Sequence, residues 1–209
     1  MWLPKDLNCT LRLDQHLPAA NTVAMQEPHE LSRKTLATGQ FLNLQAIRWR
    51  TAAGVDHLWE MAARNGTNRA VLAIAWLVPS QRLVLIRQYR PPAGGNVIEF
   101  PAGLIDEGES PGAAVLRELR EETGYHARVV RLFDAAYNSP GLSSERTHVV
   151  LAEIDETLAE NQQPQPRPEI GEDISVVLVA RAGLTEFLAR EEAAGTQFDS
   201  KVFSYLAGL

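Results

Sequence analysis

Residues 103–125 read GLIDEGESPGAAVLRELREETGY, and the interpretation of the whole chain turns on this stretch. Its ends are those of a helix. Ser110 can cap the first turn, Pro111 occupies a position where a missing N–H costs nothing, and Gly124 suits the left-handed residue just past the last turn. At ~100° per residue, Glu118, Glu121 and Glu122 fall in one narrow sector, while Val115, Leu116 and Leu119 point roughly 120° away. One stripe is therefore expected to pack on a core while three carboxylates converge elsewhere, with Arg117 one turn before Glu121 to hold it. Glu118 and Glu122 stand at i,i+4, where like charges repel by a few tenths of a kcal/mol. A hard divalent cation with oxygen ligands removes that repulsion, and Mg²⁺ suits sites shared between carboxylates and substrate phosphates. A solvated acidic face has the same spacing, so spacing alone leaves both readings open.

Outward from this helix, the pattern is that of short strands with helices between them. Apolar and polar residues alternate over 40–49 and 56–63 around a Thr51-Ala52-Ala53-Gly54 turn, which predicts an antiparallel hairpin. The apolar runs Ala70–Val78 and Leu83–Ile86, split by Pro79-Ser80-Gln81, read as buried strands. Pro91 to Gly95 reads as a loop and Val97–Phe100 as a short strand. After the helix, Arg128–Tyr137, Thr147–Ile154 and Ile174–Ala180 read as strands, and Leu184–Glu192 and Ser200–Leu206 as helices. The segment 161–168, NQQPQPRP, reads as a polar, proline-broken loop. Together these predict an α/β (α+β) sandwich of mixed sheets with an N-terminal antiparallel β-hairpin. Residues 1–38, in which Pro4, Pro18 and Pro28 are scattered among polar residues, read as an extension with little core of its own. The hairpin region is taken as 39–66 and the main domain as 67–209.

Composition excludes several classes. The chain has 209 residues with 45% hydrophobic and 22% charged residues, enough to bury a core without disulfides or structural metal. Twenty Lys and Arg against 26 Asp and Glu give a net charge of −6, with no basic run, which argues against nucleic acid as partner. No apolar stretch reaches the ~20 residues that span a bilayer, so no membrane association is expected. The first residues lack the charged-then-apolar order of a signal peptide. A single cysteine, Cys9, fits a reducing, cytoplasmic setting.

Gly103, Glu109, Arg117, Glu118, Leu119, Glu121, Glu122 and Gly124 stand at the spacing of the Nudix box, with Tyr125 in its final apolar position, where an aliphatic residue is more usual. Seven fixed residues at about one chance in 15 each put a random match in this chain at the order of 10⁻⁶. The chain thus resembles the Nudix hydrolases. The run Arg87-Gln88-Tyr89-Arg90-Pro91-Pro92, the run Glu99-Phe100-Pro101-Ala102-Gly103, and Pro140, 16 positions after Gly124, resemble the ADP-ribose pyrophosphatase branch. The resemblance covers about residue 40 to the C-terminus.

The resemblance implies a Nudix-type α/β/α sandwich and Mg²⁺-dependent hydrolysis of ADP-ribose to AMP and ribose 5-phosphate, with Mn²⁺ able to substitute for Mg²⁺. It implies that Glu118 and Glu122 are the principal metal ligands, with Glu121 sharing a metal or a bound water and the Ala102 carbonyl as a further ligand. Glu172, approaching from the loop 169–173, is implied in metal binding or water activation, with Glu169 as substitute. Arg90 is implied at the diphosphate and Arg64 at the base or phosphate. Pro140 marks the substrate-side turn, and Phe41 and Trp59 of the hairpin are expected to grip the base, one from each subunit of a homodimer with a shared active site. Trp59 matches the family well, whereas Phe41 stands where a tryptophan is usual. Hydrolysis of another nucleotide sugar, such as ADP-glucose or GDP-mannose, is the alternative, since the branch shares its box across sugars. A ligand-sensing module without turnover is the reading from another class, and the intact box speaks against it.

Overall fold

The computed structural model describes residues 26–208. Cys9 and the greater part of the N-terminal extension lie outside the described residues. Strands β1 (His29–Thr38), β2 (Leu42–Arg50) and β3 (Asp56–Arg64) form a three-stranded sheet in that order. Residues 29–38 are therefore strand, although the sequence reading left them in a weakly patterned extension. Every residue of β1 is exposed, so it carries none of the apolar alternation by which strands are recognised. The turn between β2 and β3 falls at Thr51–Val55, where Gly54 takes φ +79° and donates its N–H to the Thr51 carbonyl at 2.9 Å. The chain divides into two compact units: of the described residues, 26–33 with 47–59 make one, and 34–46 with 60–208 the other.

The larger unit is built on a nine-stranded mixed sheet. Its strands are β4 (Arg69–Val78), β5 (Arg82–Arg90), β6 (Gly95–Glu99), β7 (Ala102–Leu104), β8 (Arg128–Leu132), β9 (Ala136–Tyr137), β10 (Arg146–Asp155), β11 (Ile174–Ala180) and β12 (Gln197–Phe198). The main path runs β12-β6-β5-β4-β10-β8, with β11 on β5, β7 on β4 and β9 on β10. β10 lies parallel to β4, and β12 parallel to β6; the other pairings are antiparallel. The helices are α1 (Pro111–Thr123), the single turn α2 (Ala159–Gln162), α3 (Leu184–Ala193) and α4 (Ser200–Ala207).

Why β4 reads as one continuous apolar run is plain from its two faces. Val71, Ala73, Ala75 and Leu77 pack with Ala114, Val115 and Leu119 of α1, while Leu72 and Ile74 pack with Leu184, Phe187 and Val202 of α3 and α4. Both faces of the sheet are covered, as expected of an α/β/α sandwich. The ends of α1 are those the sequence predicts: Ser110 Oγ accepts the Ala113 N–H at 3.2 Å, Pro111 is the first helical residue, and Gly124 takes φ +76°. A Cβ at Gly124 would lie 2.3 Å from the Gln165 backbone nitrogen, so space as well as φ requires glycine there.

Several elements differ from expectation. The strand expected over 128–137 breaks after Leu132, because the next carbonyls are taken by side chains: Phe133 O contacts His148 Nδ1 at 3.0 Å and Ala135 O accepts from Arg146 Nη2 at 2.8 Å. The loop expected over 161–168 is entered through α2, whose Asn161 is buried and ties together the His126 N–H, the His126 carbonyl and the Asp155 carbonyl. The short strands β7 and β12 lie within runs too brief for a periodic signal. Among the described residues no helix is long and apolar enough to cross a membrane.

Leu119 is fully buried between α1 and the sheet. Leu119→Ala should cost about 2–5 kcal/mol and lower Tm by roughly 5–15 °C in a thermal melt. A shift under about 2 °C would show that α1 does not depend on this contact.

Candidate active site

A cleft of about 880 Å³ opens beside β4, β7 and α1. Several separate pieces of chain line it. The β5 and β6 ends bring Arg90, Val97 and Glu99; β7 brings Ala102 and Gly103; α1 brings Arg117 and Glu118. The turn before β10 brings Asn138 and Glu145, with Arg64 beside them, and the loop before β11 brings Glu169 and Glu172. Finally β12 and the start of α4 bring Gln197, Phe198, Asp199 and Lys201.

Arg117 organises the acidic side. Its Nε and Nη2 donate to the two carboxylate oxygens of Glu109 at 3.0 and 2.9 Å, its Nη1 to Glu118 at 2.9 Å and to Glu121 at 3.0 Å, and its Nη2 also to the Leu104 carbonyl at 3.0 Å. Its pKa is raised by these carboxylates, Glu109 foremost, and Glu109 is held below the usual range in return. The expectation that Arg117 holds Glu121 is met, though it holds two further glutamates as well.

The three helix carboxylates do not share one environment. Glu118 faces the cleft, whereas Glu122 is only 2% exposed and accepts a hydrogen bond from the Ala102 N–H at 3.1 Å. Sequence reasoning placed Glu122 away from the apolar stripe. It stands seven residues after Val115 and three after Leu119, and such positions share a helix face, which is why it is buried with them. Burial pushes its carboxyl up to about 9, with Glu118, Glu172 and Glu99 adding repulsion. Burial likewise pushes Glu118 up to about 7, against the pull of Arg117. Glu121 borders a different cleft, with Arg120, His126 and Arg167, and its backbone carbonyl accepts the Arg167 N–H at 2.7 Å.

Gly103 explains its own identity. A Cβ there would stand 2.0 Å from the Glu118 carboxylate, so the backbone of β7 touches the acid directly. Hard oxygen donors, two of them largely desolvated carboxylates, thus lie beside the Ala102–Gly103 backbone. The donor set fits a divalent cation such as Mg²⁺. Among the described residues no three His, Cys, Asp or Glu side chains form a ready cage for an ion.

The cations of the cleft are each paired. Arg90 Nε donates to Glu99 Oε1 at 2.7 Å, and Arg64 Nε donates to Glu145 Oε2. Glu172 Oε2 accepts the Glu169 N–H at 3.0 Å, so the two candidate bases form one turn at the cleft wall. Phe41 is 70% exposed and does not line this cleft; Trp59 is 48% exposed and belongs to the smaller unit. Pro140 lies in an exposed turn whose Ser139 carbonyl accepts the Leu142 and Ser143 N–H groups, each at 2.9 Å. Glu145, Asn138, Asp199 and Lys201 were missed by sequence reasoning as site residues. Asp199 does carry a local signal, being an N-cap before an apolar helix, but nothing local sets that helix beside β6.

The NUDIX domain family profile matches residues 66–198. An uncharacterized Nudix hydrolase of Schizosaccharomyces pombe is 36% identical over 186 residues, covering 86% of this chain and 91% of the relative. The ADP-sugar pyrophosphatase of Mus musculus is 33% identical, covering 83% and 84%. A crystal structure described as an ADP compounds hydrolase superposes with a TM-score of 0.64 at 25% identity, covering 80% of this chain and 86% of that one. With the box glutamates and Arg117 arranged as above, the chain belongs to the Nudix hydrolase family.

Two outcomes test this geometry. Gly103→Ala should lower turnover about a hundredfold while the far-UV spectrum is kept, because its methyl displaces Glu118; near-normal turnover would refute the contact. In metal-free protein the folded Glu122 and Glu118 hold protons to about pH 9 and 7, above their ordinary value of 4.5. Their contribution to stability is therefore fully present below pH 4.5 and lost as pH rises through 7 and 9. Melts in a chelator from pH 5 to 9 should decline more steeply for wild type than for Glu122→Gln; parallel curves would contradict the burial.

Proposed function

We propose that this enzyme hydrolyses the diphosphate bond of ADP-ribose, giving AMP and ribose 5-phosphate, with Mg²⁺ as cofactor. The observation that carries the reading is the meeting, in one cleft, of the Glu118–Ala102 oxygen cluster with Arg64, Arg90 and the Glu169–Glu172 turn. The names of two relatives support the substrate: the mouse ADP-sugar pyrophosphatase, and an ADP-ribose pyrophosphatase of Saccharomyces cerevisiae, 30% identical and covering 81% of this chain and 77% of the relative.

Glu118 and Glu122, with the Ala102 carbonyl, are the proposed metal ligands, with Glu121 sharing a metal or a bound water. When bound, the divalent ion would polarise the phosphoryl oxygens and make the attacking water more acidic. Arg90 and Arg64 each spend part of a guanidinium on a carboxylate and keep further N–H donors for the diphosphate. Glu172 is the proposed base that takes the proton of the attacking water, with Glu169 as substitute. The water oxygen forms a bond to one phosphorus while the bond from the bridging oxygen to that phosphorus breaks.

A homodimer with a shared site belongs to the same proposal. Leu36 of β1, Phe41, and Leu42 and Leu44 of β2 are all exposed, apolar side chains that a second copy would cover. Phe41 and Trp59 are proposed to stack on adenine, and Pro140 to shape the turn at the substrate side. The single cysteine suits a cytoplasmic setting.

The test is phosphate release, coupled to a phosphatase, from ADP-ribose, ADP-glucose, GDP-mannose and UDP-glucose with Mg²⁺. ADP-ribose should be preferred; Glu122→Gln should lose about a hundredfold or more in kcat, and Glu172→Gln should lose kcat with KM little changed. A preference for a GDP-sugar would replace the substrate named here, and normal turnover in Glu172→Gln would remove that residue from the mechanism.

A further inference from the structure

The C-terminal wall of the cleft has no role in the reaction derived so far. Lys201 Nζ lies 2.9 and 3.2 Å from the two carboxylate oxygens of Asp199. Both groups are fixed from behind. Asp199 Oδ1 accepts the Lys201 N–H at 2.7 Å in the first turn of α4, and the Asp199 N–H donates to the Ile98 carbonyl of β6 at 3.0 Å. Val202, 1% exposed, anchors the helix in the core. The ammonium's field reaches both Glu99 and Glu145, and all of these groups line the same cleft.

The chemistry of this pair differs from that of its neighbours. An incoming phosphate would meet the Asp199 carboxylate as soon as it reached the ammonium. A hydroxyl is donor and acceptor at once, and a carboxylate beside an ammonium satisfies both roles. The half-buried ring of Phe198 lines the same wall and offers an apolar face of the kind a sugar ring can cover. The pair is thus suited to a neutral, hydroxylated group next to a diphosphate.

We infer that Asp199 and Lys201 form the subsite for the hydroxyls of the terminal sugar and set which nucleoside diphosphate sugar the enzyme prefers. The inference rests on the nucleotide-sugar reading given above. It assigns the choice of sugar to the β12–α4 segment.

The experiment compares wild type with Lys201→Met and Asp199→Asn, the latter keeping an oxygen to cap α4. Three quantities are read: kcat/KM for ADP-ribose, kcat/KM for ADP-glucose, and the inhibition constant of AMP, which has no terminal sugar. A lost hydrogen bond to a charged partner predicts a tenfold to hundredfold fall in kcat/KM for ADP-ribose, by the usual size of such bonds. The two sugars should be affected unequally, changing their ratio about tenfold, with AMP inhibition and the melting temperature unchanged. Equal losses on both sugars, a matching loss of AMP inhibition, or no loss at all would each overturn the inference. Wild-type protein that turns over no ADP-sugar would instead overturn the substrate reading, and this inference with it, before any variant is compared.

Discussion

A single guanidinium holds the acidic side of the site together. Arg117 bonds Glu109, Glu118 and Glu121 and also the Leu104 carbonyl, so it links the loop before α1, the helix itself and β7. Without it, three carboxylates on and before one helix would repel one another, and each repulsion would be felt strongly because the surroundings are partly dry. The planar fork matters here, since two parallel bonds to Glu109 leave the remaining N–H groups aimed at Glu118 and Glu121. A lysine at this position could satisfy the charge and not the geometry.

From that anchor the order of the neighbouring backbone follows. The Leu104 carbonyl is fixed by Arg117, the Ala102 N–H by Glu122, and Gly103 between them lies against the Glu118 carboxylate. Pro101 adds its carbonyl to the Ala73 N–H at 2.8 Å, which pins the chain to the central strand just before this point. Three consecutive residues of β7 thus meet three side chains of α1, and the strand is short because its work is this contact. The cost is the burial of Glu122, which a hydrophobic core does not favour. Its retention next to the apolar stripe is intelligible when a cation is shared at that place.

The sequence discloses most where the information is local. The caps of α1, the apolar runs of β4 and β5 and the spacing of the box are each readable within one short continuous stretch, and the structure bears them out. Glu122 was legible as a site candidate and illegible as a buried one, because a sector drawn around three glutamates hides that one of them leans onto the face of Val115. β1 carried no signal at all, its ten residues being exposed. Asp199 and Lys201 enter the cleft only because the chain passes through α3 and returns along β6, a fact of topology that no window of sequence contains. The separate environments of Glu118, Glu121 and Glu122 belong to the same category: identical residue types, four positions apart at most, divided by what the sheet and the 163–167 loop bring against them.

The arrangement of charge along the cleft carries its own argument. Arg64, Arg90 and Lys201 each face a carboxylate, so each of these cations already has a partner in the resting cleft. The pairs are not equivalent. A guanidinium engaged through Nε still presents its Nη groups, and can take up a phosphate oxygen without leaving its glutamate. An ammonium lying between both oxygens of one aspartate has fewer directions left and a net charge near zero with its partner. The cleft therefore combines arginine pairs that tolerate an added anion with a lysine pair suited to a neutral hydroxylated group. That difference arises from the choice of arginine or lysine at each position and not from the sum of the charges.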